Sequence, residues 1–404
     1  MRNKRTAIIG GGAAGFFLAV NLKEMMPWME VTIFERSQRV LRKVEVSGGG
    51  RCNCTNSFRL VRDLSAVYPR GHRLMKRLFN VFGPQDVYRW FEDHGVPLVI
   101  QTDECVFPKA QDSHAVIDCL LRLARNYRVN ISLGRKVQSL AELSDYDYVA
   151  VTTGGSPKGD GLRWLADLGH EIEEPVPSLF SFCISDLSLT ALQGLVVEVS
   201  VLIAGTKLRA EGALLITHWG MSGPAILKLS SYGARLLAEC NYRASVAVNW
   251  TRLTEQEVVS RLYDTRTGKG QKLLQNHHPF ALPQRLWAYL LQKSVGERPQ
   301  LHWNALGKKD INRIANILTN DVYMIEGRAA FKEEFVTCGG VSLKAIKPST
   351  LESRHVPGLY FAGEVLDIDG ITGGFNFQAA WTTAYVVADS ICQCSTPPIS
   401  KDDI

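Results

Sequence analysis

The sequence predicts an α/β fold in which both ends of a 404-residue chain build one domain around a long insertion. Residues 5–34 read as apolar strand, helix and apolar strand, which is the pattern of a βαβ unit. A similar strand and helix follow near the carboxyl terminus, at 358–363 and 375–392. Between them, segments starting at Leu195 have the pattern of antiparallel strands in a small sheet or barrel. An α/β domain with an insertion accounts for all three observations.

Periodicity and start signals place the individual elements. Thr254 with Glu257 forms a capping box that starts one helix, and Pro283 suits the first turn of the next. Apolar residues recur at helical spacing in KKDINRIANIL, residues 308–318. The other predicted elements are strands at 5–9, 31–34, 149–152, 195–205, 212–217, 244–250 and 358–363, and helices at 13–26 and 375–392.

The composition is that of a soluble globular enzyme, with 46% hydrophobic and 21% charged residues. No run of about eighteen apolar residues is free of charge and glycine, so we expect no membrane-spanning helix. Gly10, Gly11, Gly12 and Gly15 interrupt the apolar start of the chain, which disfavours a secretory signal. Nine cysteines, an odd number, are typical of reduced thiols. We therefore expect a cytoplasmic protein.

The net charge of +6 comes from one segment. Between Thr251 and Ile317, eleven basic residues stand against five acidic ones, and the rest of the chain is balanced. The segment is consistent with two interpretations: a docking surface for an anionic partner, or a solvated face of surface helices.

The glycines at the start of the chain predict a dinucleotide site. Gly10-x-Gly12-x-x-Gly15 follows a strand and opens a helix, and Glu35 ends the next strand. In this pattern the glycines permit the tight turn, the approach of a pyrophosphate and close helix packing. The amides at the helix start favour phosphate, and the acid accepts from ribose hydroxyls.

The carboxyl-terminal stretch GLYFAGEVLDIDGITGGFNFQAAW selects FAD rather than NAD. A strand leads to Gly363-Glu364, and the pair Gly373-Gly374 then opens a helix. Glu364 is suited to accept from a ribityl or phosphate-linked hydroxyl. The helix start is suited to stabilise the negative charge of reduced flavin. A domain that binds NAD has no need of this second element.

A third glycine-rich run, SGGGRCNCTN at 47–56, is open to interpretation as a zinc site, a phosphate cradle or a linker. Cys52 and Cys54 lack a second ligand pair at a usable spacing, which disfavours zinc, and we predict no metal site. The glycines would instead bring bare backbone beside the cofactor. Arg51 would then meet the charge of a phosphate or the substrate. Asn53, Thr55 and Asn56 would supply hydrogen bonds to a polar ring edge.

With these motifs the sequence resembles a bacterial family of NAD(P)/FAD-dependent flavoproteins. The family includes aminoacetone oxidase, dehydro-bile-acid reductase and the flavin-dependent dihydrouridine synthase of ribosomal RNA. The resemblance covers nearly the whole chain. Its markers are IIGGGAAG (8–15), SGGGRCNCTN (47–56), TTGG (152–155), DGLRWLADLGH (160–170), THWGMSGPAIL (217–227), CGGV (338–341) and PGLYFAGEVLDIDGITGGFNFQAAW (357–381).

The resemblance implies a glutathione-reductase-like FAD-binding Rossmann domain with an inserted small β-barrel and a helical subdomain. The corresponding divisions are 1–186 with 336–404 for the FAD domain, 187–250 with 318–335 for the β-rich insert, and 251–317 for the basic helical insert. No second GxGxxG appears in the insertion, so NADH or NADPH would visit the flavin only transiently.

Motifs and resemblance together predict which residues hold FAD. They are Gly10, Gly12, Ala13, Ala14, Gly15, Glu35, Arg36, Lys43, Ser47, Gly48, Gly49, Gly50, Arg51, Cys52, Asn53, Val137, Thr153, Gly154, Gly155, Gly363, Glu364, Gly373, Gly374, Phe375 and Asn376.

Two of the family's activities add hydride to a carbon–carbon double bond conjugated with a carbonyl, in a steroid enone or a uracil ring. That reaction needs a proton donor and a group that stabilises the enolate. We predict His218 or Cys52 as the acid, with Cys338 a weaker choice. The alternatives are that His218 closes the insertion onto the FAD domain and that Cys52 is a small buried residue beneath the flavin.

Three functions follow from these expectations: a reductase of uridine in large-subunit ribosomal RNA, an oxidase or reductase of a small metabolite, and a flavin-bound sensor. In the first, the basic segment 251–317 would grip RNA phosphates. Its aromatic residues would either stack on unpaired bases or form a helix core. They are Tyr263, Trp287, Tyr289 and Trp303.

Overall fold

The computed structural model describes residues 3–298, 300–329 and 336–395. The chain forms two compact units, the first from Met1–Val176 with Val336–Ile404 and the second from Pro177–Phe335. The sequence analysis placed this boundary later, between residues 186 and 187. It lies earlier because a strand at Phe182–Cys183 pairs with strands of the second unit. Residues 330–335, at the end of the insertion, lie outside the described residues.

The described strands are β1 (Arg5–Ile9), β2 (Glu30–Phe34), β3 (Thr55–Asn56), β4 (Leu98–Ile100), β5 (Cys105–Pro108), β6 (Asn130–Ser132), β7 (Tyr148–Val151), β8 (Ile172–Ser178), β9 (Phe182–Cys183), β10 (Val196–Ile203), β11 (Arg209–Thr217), β12 (Gly220–Ser222), β13 (Ala244–Asn249), β14 (Asp321–Ile325), β15 (Gly327–Arg328), β16 (Val336–Val341) and β17 (Leu359–Phe361).

The described helices are α1 (Ala13–Met25), α2 (Arg42–Val46), α3 (His72–Leu78), α4 (Pro84–Asp93), α5 (His114–Asn126), α6 (Arg163–Asp167), α7 (Leu187–Thr190), α8 (Pro224–Tyr232), α9 (Ala234–Glu239), α10 (Glu255–Lys269), α11 (Gln284–Val295), α12 (Lys308–Thr319) and α13 (Phe375–Ser395). No helix in these parts of the chain is both long enough and apolar enough to cross a membrane.

A five-stranded parallel sheet forms the centre of the first unit, in the order β17-β7-β1-β2-β6. The inner strands β7 and β1 are apolar because helices cover a parallel sheet on both faces, and four of the five residues of β1 are buried. In register, Ile9 lies beside Phe34 and Val151, and Val151 lies beside Phe361. The carboxyl ends of these strands therefore share one edge, where ligands bind in open α/β sheets.

Two apolar helices pack on this sheet. The first, α1, starts directly after the glycine turn and is buried along most of its length. It packs against α13, which brings the far end of the chain onto the amino-terminal βαβ unit. Segments from both ends of the chain therefore form one compact unit. Smaller sheets of β3, β5 and β4, and of β16 and β8, complete the first unit.

The second unit contains a seven-stranded antiparallel sheet in the order β14-β13-β10-β11-β12-β9-β15. The capping box at α10 forms as predicted, with the Thr254 N–H donating to Glu257 Oε2 at 2.8 Å. Pro283 differs from its prediction, because α11 begins one residue later, at Gln284. Sheet and helices share one hydrophobic core. The β-rich and helical inserts expected from sequence are thus one structural unit.

The four aromatic residues of the basic segment lie in or against this core. Trp287 and Trp303 are fully buried, Tyr289 is 8% exposed, and Tyr263 packs against the core from its edge. The structure therefore favours packing over base stacking for these side chains.

In the first unit, His94 at the end of α4 forms a half-buried ion pair with Glu24 of α1. Its Nε2 lies 2.8 Å from Glu24 Oε1, and its Nδ1 lies 2.6 Å from Trp90 O. Burial opposes the charge on His94, but these two hydrogen bonds outweigh it, so its pKa is raised. Burial also opposes the charge on Glu24, but hydrogen bonds from His94 and Tyr127 lower its pKa.

We predict that His94→Gln lowers the free energy of unfolding most strongly in a defined pH window. The stabilisation from His94 is complete below its ordinary pKa of 6.5 and is lost as pH rises through the raised value. The stabilisation from Glu24 is complete above its ordinary pKa of 4.5 and is lost as pH falls through the lowered pKa. Both contributions are present between pH 4.5 and pH 6.5. In this window the variant should lose free energy of unfolding on the order of 1 kcal/mol.

Urea unfolding at about pH 5.5 and about pH 8.5 measures this difference. His114→Gln is the control, because His114 pairs with Asp112 at the solvent-exposed surface, where screening leaves little stabilisation. An equal loss at both pH values for His94→Gln would contradict the prediction.

Candidate functional site

The turn between β1 and α1 contains three glycines whose surroundings differ. Gly10 has φ of +116°, and a Cβ there would lie 2.5 Å from Thr152 O. A Cβ at Gly15 would lie 2.0 Å from Gly10 O. Gly12, by contrast, has φ of −94° and no atom within 4 Å of its missing Cβ. Gly10 and Gly15 hold the turn closed, whereas Gly12 borders open space.

Glu35 follows β2 at the same edge of the sheet. Its carboxylate accepts from the N–H groups of Gly11 and Ser37, both at 2.8 Å. The carboxylate is thus anchored beside the glycine turn, where the dinucleotide pattern requires a ribose acceptor. Arg36 is exposed, and Val137 is buried in the loop that follows β6.

The third glycine run adopts a left-handed backbone that residues with side chains avoid. Gly48, Gly49 and Gly50 have φ of +57°, +68° and +83°. A Cβ at Gly49 or Gly50 would meet no atom within 4 Å, so this loop also borders open space. Arg51 Nε donates back to Gly48 O at 3.1 Å, and its guanidinium lies over the Phe107 ring. In the structure Arg51 braces the loop, and its contact with phosphate or substrate stays a prediction.

The structure brings this run against the glycine pair that opens α13. Asn56 Nδ2 donates to Gly373 O at 3.1 Å. The Asn53 amide, oriented to satisfy both neighbours, accepts from the Gly374 N–H and donates to Thr55 O. A Cβ at Gly374, where φ is +88°, would lie 2.2 Å from Thr55 O. Two glycine turns that are distant in sequence are therefore in direct contact.

The residues that follow Gly374 keep the start of α13 in place. Phe375 is buried, with its ring edge-on to Tyr68 and Phe58. Asn376 exchanges two hydrogen bonds of 2.8 Å with the backbone of Gly370. Both side chains therefore shape the turn, and a direct contact with the cofactor stays a prediction for them.

Glu364 is the most strongly held carboxylate of the site. One oxygen accepts from Lys43 Nζ at 2.8 Å, and the other accepts from the Thr337 N–H at 2.9 Å. Burial would raise its pKa, but Lys43 and the N–H groups of Thr337 and Gly155 outweigh burial and lower the pKa. A Cβ at Gly155 would lie 2.8 Å from Glu364 Oε1, so glycine is required there. Glu364 is therefore an ionised acceptor at neutral pH.

These features fit FAD. Open space borders Gly12, Gly49 and Gly50, which are the positions where a bound dinucleotide would need bare backbone. Anchored carboxylates stand at Glu35 and Glu364, and the α13 start lies against the third glycine run. Binding of the pyrophosphate at the first turn, of the ribose at Glu35 and of the flavin end at the junction of the other two turns stays a prediction.

The cysteines of the third run are packed inside the first unit. Cys52, with φ of +60°, and Cys54 are both fully buried. Burial and the neighbouring Cys52 thiol raise the pKa of Cys54. Cys338 on β16 is also fully buried. These positions favour the packing role, and catalysis by Cys52 stays a prediction. In the described ranges, no three His, Cys, Asp or Glu side chains gather as a metal centre requires.

His218 belongs to the second unit. It lies in the two-residue turn between β11 and β12, exposed, with its ring 4.3 Å from that of Trp219. An exposed imidazole on a hairpin turn is available to act as an acid, and that role stays a prediction.

Three residues that support the site were missed in the sequence analysis. Thr152 Oγ1 donates to the carbonyls of Ile9 and Gly10, which ties β7 to the first turn. Thr337 contributes only its backbone N–H, which has no signal in the sequence. Gln378 hydrogen-bonds Thr55 across the junction. Thr152 and Gln378 had a usable signal, because they lie in the TTGG motif and in the carboxyl-terminal motif 357–381.

Comparison with known proteins identifies the family of this chain. The HI0933-like protein Rossmann domain matches residues 4–390. The chain is 28% identical over 414 residues to the ribosomal RNA dihydrouridine synthase of Haemophilus influenzae, and 30% identical over 407 residues to that of Escherichia coli. It is 26% identical over 404 residues to the 3-dehydro-bile acid delta(4,6)-reductase of Clostridium scindens. Each comparison covers 95% of this chain and 97% of the relative.

The family match extends over both units and includes every glycine turn described above. The resemblance noted from the motifs is thereby confirmed, together with the α/β class and its Rossmann-type first unit. This chain belongs to the family of HI0933-like proteins with a Rossmann domain.

Proposed function

We propose that this flavin-dependent oxidoreductase reduces the ring double bond of a uridine in large-subunit ribosomal RNA, with NADH or NADPH as electron donor. Two of the three relatives described are named for dihydrouridine synthesis in ribosomal RNA. The observation that carries the proposal is a cluster of unpaired lysines in the second unit, which suits a polyanionic substrate.

This basic cluster consists of Lys269, Lys272, Lys308 and Lys309, all exposed. The Asn304 N–H donates to Gly270 O, which ties the chain just before α12 to the end of α10. Four residues of chain span at most about 14 Å, so Lys308 lies within about 14 Å of Asn304, which is hydrogen-bonded to the α10 end.

Three of the other seven cations of the segment form ion pairs. Arg252 lies 3.4 Å from Glu198, Arg298 lies 3.7 Å from Asp310, and Lys293 pairs with Asp321. The four cluster lysines make no ion pair within the described ranges of the chain. The cluster therefore presents part of the positive surplus of the segment, and phosphates there would displace only water and counterions.

The reaction sets requirements for the chain's own residues. Bound FAD would supply hydride to one carbon of the double bond. The protein must hold the pyrimidine ring, donate a hydrogen bond to the carbonyl oxygen as negative charge develops, and protonate the second carbon. His218 and Cys52 remain the predicted proton donors. The hydrogen-bonded junction of the second and third glycine turns would hold the flavin end.

Mass spectrometry of ribosomal RNA nucleosides, with and without the gene, tests the proposal. We expect a dihydrouridine to disappear from large-subunit RNA when the gene is deleted and to return on complementation. Unchanged dihydrouridine, together with turnover of a steroid enone or aminoacetone by the purified enzyme, would establish a small-molecule substrate instead. NADH and NADPH are compared directly in the reduction of the purified flavoprotein.

We predict that replacing all four lysines of the basic cluster with glutamine weakens RNA binding without loss of FAD. Each lost phosphate contact makes the salt dependence shallower, so the slope of log K against log salt should fall by about 3. A filter-binding titration with a ribosomal RNA fragment at several salt concentrations measures this slope.

The matched control replaces four exposed lysines elsewhere, Lys76, Lys109, Lys344 and Lys347, and should retain the parental slope. Equal effects of the two quadruple variants would show that general charge, rather than the basic cluster, binds RNA.

A further inference from the structure

A buried ion pair in the first unit is not used by the chemistry described so far. The guanidinium of Arg70 donates through Nε and one terminal nitrogen to the two oxygens of Asp369. The Arg70 side chain is 15% exposed and that of Asp369 is fully buried. The backbones of the two residues also form an antiparallel bridge. The pair thus joins positions 299 residues apart at both backbone and side chain.

The chain on either side of the pair is attached in the same way. The Ile371 N–H donates to Val67 O at 2.9 Å, and Tyr68 Oη donates to Phe375 O at 2.8 Å. A Cβ at Gly71 would lie 2.7 Å from the Ile368 side chain. Segment 67–71 is therefore packed along the whole turn that leads into α13.

That turn connects two groups at which we predict polar contacts with FAD. Glu364 stands before it, and Gly373-Gly374 end it against Asn53 and Asn56. Movement of the turn by a fraction of an ångström would move the first amides of α13 relative to the third glycine run. Asp369 lies in the middle of the turn and is fully buried.

Stability alone does not explain a charged pair at this place. Desolvation offsets most of the attraction in a buried ion pair, and apolar replacements of similar volume are often neutral or stabilising. A planar guanidinium that bonds a carboxylate at two points fixes direction as well as distance, which an apolar contact does not.

We propose that Arg70, acting through Asp369, is a positioning residue that sets the α13 start against the flavin and so adjusts the flavin's reduction potential. The proposal rests on the FAD site described above and is independent of the uridine substrate. The pair has no net charge, so its removal as a pair changes the potential mainly by releasing the turn.

The double variant Arg70→Met with Asp369→Leu tests this. We expect it to fold and to bind FAD, because no buried charge is left unpaired. The ratio of reduced to oxidised flavin at a fixed potential should fall about tenfold, which is about 30 mV to more negative potential for a two-electron couple. The midpoint potential is measured with reference dyes, and the visible flavin spectrum and thermal unfolding are recorded on the same samples.

Arg70→Lys is the second variant, and it keeps a buried cation but loses the two-point contact. We expect a shift in the same direction and smaller in size. This variant decides the question even where the double variant does not fold. A parental potential and spectrum in either folded variant overturns the proposal and leaves the pair a structural contact. Absence of uridine reduction in the parent enzyme, with the potential shift present in the variants, would overturn the proposed function alone.

Discussion

The variant Gly374→Ala is expected to purify without flavin and with a lowered melting temperature. Gly374 has φ of +88°, a conformation that costs a residue with a side chain about 1–2 kcal/mol. The added Cβ would also lie 2.2 Å from Thr55 O, a backbone atom that cannot rotate away. Either the α13 start or the third glycine run must move, and we predict that the flavin end binds at their junction.

Each 1.4 kcal/mol of lost interaction lowers affinity about tenfold, so we expect FAD affinity to fall by more than that factor. The absorbance ratio of flavin to protein after purification, and FAD titration of the apoprotein, measure the loss. Gly95→Ala is the matched control, because Gly95 has φ of +82° but no atom within 4 Å of its missing Cβ. The Gly95→Ala variant should be destabilised by backbone strain alone and should retain FAD. Parental flavin content in Gly374→Ala would contradict the role of this junction.

The variant Gly12→Ala is expected to separate cofactor binding from folding. Its φ of −94° is acceptable for alanine, and the added methyl group meets no protein atom within 4 Å. The stability of the apoprotein should therefore be unchanged. The methyl group would instead occupy the space through which a pyrophosphate approaches the helix start, so FAD affinity should fall at least about tenfold.

Fluorescence titration with FAD and thermal unfolding of the apoprotein give the two quantities. Gly268→Ala serves as the control, because Gly268 lies in α10 of the second unit with open space around it. An alanine there should raise helix stability slightly and leave FAD binding unaltered. If Gly12→Ala binds FAD with the parental dissociation constant, the pyrophosphate does not lie at this turn.

Much of the first unit was predictable because its signals are local. The bounds of β1, α1 and β2 fall within one residue of the predicted ones. One short stretch of chain contains the apolar periodicity, the glycine positions and Glu35. The capping box at Thr254 was predictable for the same reason, since its partner is three residues away.

Other features were not predictable from local patterns. Strand β9 has two residues, too few for any periodicity, and it moved the unit boundary. The burial of Trp287 and Trp303 depends on helices and strands that come from other parts of the chain. The Arg70–Asp369 pair had no signal in the sequence, because an arginine and an aspartate 299 residues apart are unremarkable until the chain folds.

The sequence by itself determined the class of fold, the dinucleotide turn and the family, because each depends on residue types at short, regular spacing. Tertiary structure alone decided which glycines close a turn and which border open space. It also decided which carboxylates are anchored and which cations stay exposed. These properties depend on atoms contributed by distant segments, and a glycine or a lysine acquires its role from the neighbours that folding places around it.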